Sequence, residues 1–220
     1  MAEDGLPGAA GVRTTRGDAT RGRLIDAAVE TLASQGYAGA SARVIADRAG
    51  VNQGLIFYHF DSVTGLLLAA LDSVSAERRA RYDAALDGAT SPVELVDVAS
   101  TIYREDLDAG YVGVLVAMIA GASTTPGLGE EVAERIAPWT GFARDAVGSV
   151  LADSPLGSLL PAETVGFAVV ALYLGMEMLT HLDGDRAPAI GLFDHLLQLA
   201  ALVGGPVAGA PVDASGEPVP

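Results

Sequence analysis

Apolar residues recur along most of this chain at intervals of three and four, and the runs are broken at Gly, Pro, Ser and Asp. That period predicts helices with one buried stripe each. A first helix is expected from about residue 20 to 35, with Leu24, Ala28, Thr31, Leu32 and Gln35 on one side and Gly36 as its stop. Two short helices follow. A long one begins near Ser62, buries Val63, Leu67, Ala70, Leu71 and Val74, turns polar from Glu77 to Arg81 and ends near Gly88. Ser91-Pro92-Val93-Glu94 reads as a capping box with Pro at the first helical position, opening a helix to about Asp108. Further helices are expected at about 111–122, at 130–151 with an interruption or kink near Pro138, at 161–182 and at 187–203. Thr125-Pro126-Gly127 and the stretch around Asp153-Ser154-Pro155 and Gly157 supply the breaks. No strand pattern or internal repeat stands out, so the fold class is all-α.

The segment from Gly36 to Phe60 carries the most specific chemistry. Ser41 can accept the orphan N–H groups of a helix running to about Arg48, on which Ile45 and Ala49 share a face. Gly50 is a left-handed stop, Val51 packs in the turn, and Asn52 caps a second helix whose first exposed residue is Gln53. A short helix that opens on Gln suits the major groove of DNA, where Gln pairs bidentately with adenine.

Charge changes this picture only through its distribution. The chain of 220 residues has a net charge of −15, and all 13 of its basic residues are Arg. Six of them (Arg13, Arg16, Arg21, Arg23, Arg43 and Arg48) fall within residues 13–60, against four carboxylates. A weakly basic end on an acidic body is consistent with DNA contact at that end alone. The absence of cysteine excludes disulfides and thiolate metal sites. The most apolar run, 165–179, is shorter than a bilayer span of ~20 residues and includes Glu177, and no signal-peptide pattern opens the chain. A cytoplasmic protein without membrane contact is expected.

The last two helices are apolar nearly all round. A helix of that kind must be buried on more than one side. Phe167, Val170 and Leu174 on one, with Leu192, Leu196 and Leu199 on the other, are the candidates for an interface with a second copy; a central core helix is the alternative.

From Arg23-Leu24-Ile25-Asp26-Ala27-Ala28 through Gly36-Tyr37, Ile45-Ala46, Ala49-Gly50-Val51, Tyr58-His59-Phe60 and Leu66-Leu67, the chain resembles the DNA-binding end of TetR/AcrR-type transcriptional regulators. The resemblance covers about 50 residues. It implies an N-terminal three-helix domain with a helix-turn-helix (18–62) and a larger helical ligand-binding and dimerisation domain (63–203), between an Arg-containing disordered arm (1–17) and a disordered tail (204–220). It implies a homodimer on a near-palindromic double-stranded operator, a repressor released when a small-molecule effector enters the second domain, with no cofactor.

Carried over by position, the resemblance places Arg43 on a guanine, Gln53 at the base-reading position, and Ser41, Asn52, Gly54, Phe57, Tyr58 and His59 at the DNA surface. Ile56 and Phe60 serve packing. The departures are Val63, where the family has a phosphate-contacting Lys; Phe57, where a Tyr hydroxyl is usual; and Leu55, where a small hydroxyl residue is common. Arg13, Arg16, Arg21 and Arg23 are the candidates to replace those phosphate contacts. The same departures motivate a second reading, a ligand- or protein-binding helical dimer that has lost specific DNA recognition. Candidate pocket residues are Tyr103, Leu107, Tyr111, Leu115, Met118, Trp139, Phe142, Tyr173, Met176, Glu177 and His181, a mostly apolar set with a few polar groups. The three His are dispersed and no nucleophile elbow, phosphate-binding loop or metal-ligand spacing occurs, so no catalytic or metal site is expected.

Overall fold

The computed structural model describes residues 9–151 and 161–203. The start of the expected arm (1–8), the loop around Asp153 and the tail from 204 lie outside them. Among the described residues every regular element is a helix: α1 (Ala9–Gly39), α2 (Ala42–Ala49), α3 (Gly54–Phe60), α4 (Val63–Leu86), α5 (Pro92–Ala109), α6 (Tyr111–Ala122), α7 (Leu128–Leu151), α8 (Ala162–Asp183) and α9 (Ala187–Val203).

Two elements depart from expectation, and a third compares differently with a bilayer. α1 starts at Ala9, so residues 9–17 are helical rather than a disordered arm. Leu24, Ala28 and Leu32 anchor the helix in the core, and extending it backwards needs propagation without a new nucleus. Gly36 still ends the long run: its φ of 67° is non-helical, and residues 37–39 form a separate turn. α7 continues through Pro138 as one helix. α8 is 22 residues long and, by length and composition, apolar enough to cross a membrane. It coincides with the helix expected at 161–182, and the run 165–179, shorter than a bilayer span, is only part of it.

α1 to α4 close around Leu24, Ile45, Ile56, Leu66 and Leu67, and the same core runs on without a gap into Val114 and Met118 of α6 and Leu128 and Val132 of α7. A second, smaller core gathers Tyr103 of α5 with Ala189 and Phe193 of α9. α8 lies mainly along α7, and α9 along α5.

The N-terminal helices therefore sit directly on the body. Tyr37 lays its ring against Gly121 of α6, and its hydroxyl accepts from Thr125 Oγ1 at 3.1 Å. A Cβ at position 121 would stand 2.3 Å from that ring. Gly121→Ala is therefore expected to cost about 1–3 kcal/mol by overpacking, despite the better helix propensity of Ala. In a Tyr37→Ala background the same substitution should become neutral or stabilising by about 1 kcal/mol. Denaturant unfolding of the four proteins checks this, and an equal cost in both backgrounds would put the clash elsewhere.

Candidate functional site

Local chemistry builds the helix-turn-helix as the sequence implies. Ser41 caps α2, its Oγ accepting from the Val44 N–H at 3.4 Å. Gly50 ends it in the left-handed region (φ 65°, ψ 38°), where its N–H reaches back to Ala46 and Asp47. Asn52 Oδ1 then accepts from the Gly54 N–H at 2.7 Å, so Asn52 supplies the side-chain cap while Gln53 already has helical dihedrals. Ile56 and Phe60 turn inward and anchor α3, and Ser62 starts α4 by accepting from Gly65 at 2.9 Å. α3 and α4 meet at 64°.

The other side of α3 faces solvent. Asn52, Gln53, Gly54 and Phe57 are exposed, Tyr58 is 79% exposed, and His59 is half-buried with its ring edge-on to Tyr58. Tyr58 therefore plays no part in the core. Ser41 and Arg43 are exposed on the neighbouring helix, Arg43 only loosely paired with Asp47 at 3.8 Å. Arg16, Arg21 and Arg23 are exposed along α1. Arg21 places its guanidinium 5.1 Å from the Phe60 ring centre, beside the end of α3. Arg13 lies in the same helix.

The body holds a cavity of about 350 Å³ between α4, α5, α6, α7, α8 and α9. Of the expected pocket residues, Leu115, Trp139, Phe142, Tyr173 and Met176 line it. The others do not. Tyr103 is fully buried, bonded to Thr180 at 3.2 Å and packed with Leu107 against α9, while Met118 belongs to the main core. Tyr111 donates to Glu77 at 2.5 Å, and His181 is exposed at the end of α8. The expected interface set is also divided. Phe167 (66%) and Leu199 are exposed, Leu192 is half-buried, and Val170, Leu174 and Leu196 turn to the cavity. The exposed large apolar residues of these helices keep Phe167 and Leu199 and add Val169, Leu172, Met178, Leu179 and Leu182 on α8 and Leu202 on α9. Helices that are apolar on all sides do not reveal from sequence which side faces in.

A buried polar network borders the cavity; Tyr173 and Glu177 in it were candidates, while Arg78, Tyr82 and Asp106 were not. Arg78 of α4 is only 6% exposed. Its guanidinium binds Asp106 of α5 through Nε (3.0 Å) and Nη2 (2.8 Å), and Nη2 also donates to Tyr82 (3.0 Å) and Tyr173 (2.7 Å). Both phenols donate to the same oxygen, Asp106 Oδ2, and Arg81 Nη2 holds Oδ1 at 2.6 Å. The guanidinium also lies 5.4–5.6 Å from the ring centres of Trp139, Tyr173 and Tyr82. Burial opposes the Arg78 charge, but the facing oxygens of Tyr173, Tyr82, Asp106 and Glu177 outweigh it and raise its pKa further. Glu177 is 1% exposed, faces Arg78 at 3.8 Å, and neither of its oxygens accepts a hydrogen bond from a described residue.

Residues 24–70 match the family described as bacterial regulatory proteins, tetR family. An uncharacterized HTH-type transcriptional regulator of Mycobacterium tuberculosis is 29% identical over 150 residues, covering 68% of this chain and 74% of that one. Among solved structures, a TetR-family transcriptional regulator from Cytophaga hutchinsonii superposes with a TM-score of 0.73 at 19% identity, over 87% of this chain and 98% of that one. A TetR transcriptional regulator from Chloroflexus aurantiacus gives 0.69 at 25% identity, over 84% and 95%.

Burial pushes the Glu177 carboxyl up to about 7, with Arg78 pulling the other way. Because the folded value lies above the ordinary carboxyl value, the folded protein holds the proton more tightly. Its contribution is present in full below the unfolded value near 4.5 and is lost as pH rises through 7. Glu177→Gln should therefore be more stable than the parent at pH 8, by on the order of 3 kcal/mol, with the gap narrowing toward pH 5. Urea unfolding at the two pH values and one protein concentration checks this; a gap independent of pH would contradict it.

Proposed function

The chain belongs to the tetR family of bacterial regulatory proteins, and from that premise we propose that it is a dimeric repressor that a small molecule releases from a near-palindromic operator. α3 enters the major groove. Gln53 reads a base at its N-terminal end, Arg43 reads a guanine from α2, and Ser41, Asn52, Phe57, Tyr58 and His59 meet the sugar-phosphate backbone or thymine methyl groups. α8 and α9 pair with those of a second copy and hold the two α3 helices roughly 34 Å apart, one turn of the duplex. The effector occupies the cavity among α4, α5, α7 and α8. The work is done in the cytoplasm, on DNA, without a membrane or a cofactor.

One observation carries the reading. Ile56 and Phe60 hold α3 in place, yet Gln53, Phe57 and Tyr58 on its other side are left outward with no role in packing. Exposed aromatics on a helix anchored so firmly need an external partner. The cap on α3 and the exposed, loosely paired Arg43 beside it give that partner the chemistry of a duplex. Val63, which offers no charge to a phosphate at the start of α4, favours the second reading of a dimer that has given up specific recognition.

Selection of bound duplexes from a randomised pool, followed by titration of the enriched site, separates the two. Gln53→Ala and Arg43→Ala should each cost about 1–3 kcal/mol on the selected site and relax the preference at one position per half-site. Failure to enrich any sequence would favour the second reading. Arg16→Ala should instead weaken all duplexes alike and lower the salt slope by about one per subunit, leaving base preference intact. An unchanged slope would remove α1 from the interface.

A further inference from the structure

The polar network at the cavity wall distributes its hydrogen bonds unevenly. Four donor groups converge on one oxygen, Asp106 Oδ2: Arg78 Nε, Arg78 Nη2, and the hydroxyls of Tyr82 and Tyr173. A carboxylate oxygen has about two lone-pair directions, so that atom is oversubscribed. Nearby, both oxygens of buried Glu177 accept none from a described residue. Asp106 and Glu177 stand behind the wall, while Arg78, Tyr82 and Tyr173 form part of it. Apart from Ser75 and these donors, and Arg135, which is already bound to Asp72 and Glu131, the lining is hydrocarbon or aromatic. A visitor to this cavity therefore meets surplus donors and almost no acceptors.

Charge narrows the class. Arg78 and Arg81 are matched by Asp106 and Glu105, with Glu177 beside Arg78 whether or not it holds a proton, so the wall has no positive charge in surplus for a counter-ion. We infer that the cavity takes an uncharged, largely apolar molecule bearing one carbonyl-type oxygen, which accepts from the Tyr82 and Tyr173 hydroxyls drawn off Asp106 while its hydrocarbon part lies against Trp139, Phe142, Leu172 and Met176. This rests on the cavity being the effector site, and it names the chemistry of that effector. On binding, the two phenols turn toward the ligand and Asp106 keeps both of its arginines, so no buried charge loses its partner.

The probes are hexanophenone, hexylbenzene and 6-phenylhexanoate, which share a similar carbon count and differ in their oxygens. Titration of the full chain is followed by calorimetry and by the emission of Trp139, the single Trp, whose ring lies edge-on to Tyr82 at 5.4 Å. Hexanophenone should bind roughly tenfold or more tightly than hexylbenzene. In Tyr82→Phe/Tyr173→Phe that advantage should fall to about threefold or less, with hexylbenzene binding retained as proof of an intact cavity. If the double variant fails to fold, Tyr82→Phe alone must halve the advantage or the inference falls. Equal binding of ketone and hydrocarbon, tighter binding of the acid, or no binding of any probe would each overturn it. Operator release is scored separately on the same samples. A ketone that binds through the phenols without releasing DNA counts against regulation through this cavity and leaves its binding chemistry standing.

Discussion

The ion pair between Arg78 and Asp106 is the constraint on which the arrangement of the body depends. Both groups are buried, and removing either partner from such a pair leaves a charge in a medium that cannot solvate it, at a cost of about 3–5 kcal/mol. The pair fixes α4 against α5, and Tyr173 brings α8 to the same point. α4 is also the helix whose first turns complete the N-terminal core through Leu66, Leu67 and Ala70. Sixteen residues separate its Ser62 cap from Arg78, or about 24 Å along a helix axis. A shift at the buried pair therefore acts at the far end of a stiff rod that begins beside α3.

A second attachment limits how that rod can move. α1 lies along α6, where Tyr37 covers Gly121 and Gly113 brings its backbone close to Ala33. Small residues let the two helices approach closely, and close packing resists continuous deformation. The N-terminal helices are thus held at two places, one polar and buried, one steric. Displacement of α4 relative to α6 would swing α3 about the α1–α6 contact, and a single hinge residue is not needed for it.

What the sequence revealed and what it hid follow from range. The helix-turn-helix was legible because every determinant is local: Ser41 to Val44, Gly50 to Ala46, Asn52 to Gly54, each within five residues. The cavity was half legible, since aromatics and Met mark apolar space without saying which faces meet. Arg78 was missed because Glu77 to Arg81 reads as a solvated run, while its partners lie 28 and 95 residues away. One signal was present in the spacing. Leu67, Leu71, Val74, Arg78 and Tyr82 advance by four, three, four and four, so the buried stripe of α4 passes through the charged run instead of ending before it. An Arg on an otherwise apolar stripe requires a buried counter-charge, and Asp106 interrupts α5 in just that way.

The ion pairs also change how the net charge should be weighed. In the body, Arg78, Arg79, Arg81, Arg135, Arg144 and Arg186 each stand within 4.0 Å of a carboxylate. Their fields are largely cancelled at short range. Among the described residues no ion pair engages Arg16, Arg21 or Arg23, and Arg43 has only a loose and exposed neighbour in Asp47. Apart from Arg104 of α5, which bonds only Ser100, the arginines without a close carboxylate are thus on α1 and α2, beside the outward side of α3. The charge of −17 outside residues 13–60 would act on a polyanion mostly from beyond a screening length of about 10 Å, whereas arginines beside α3 would act at contact. The acidic body weakens and orients the approach to a duplex without abolishing it, because electrostatic association is decided by the charges nearest the phosphates.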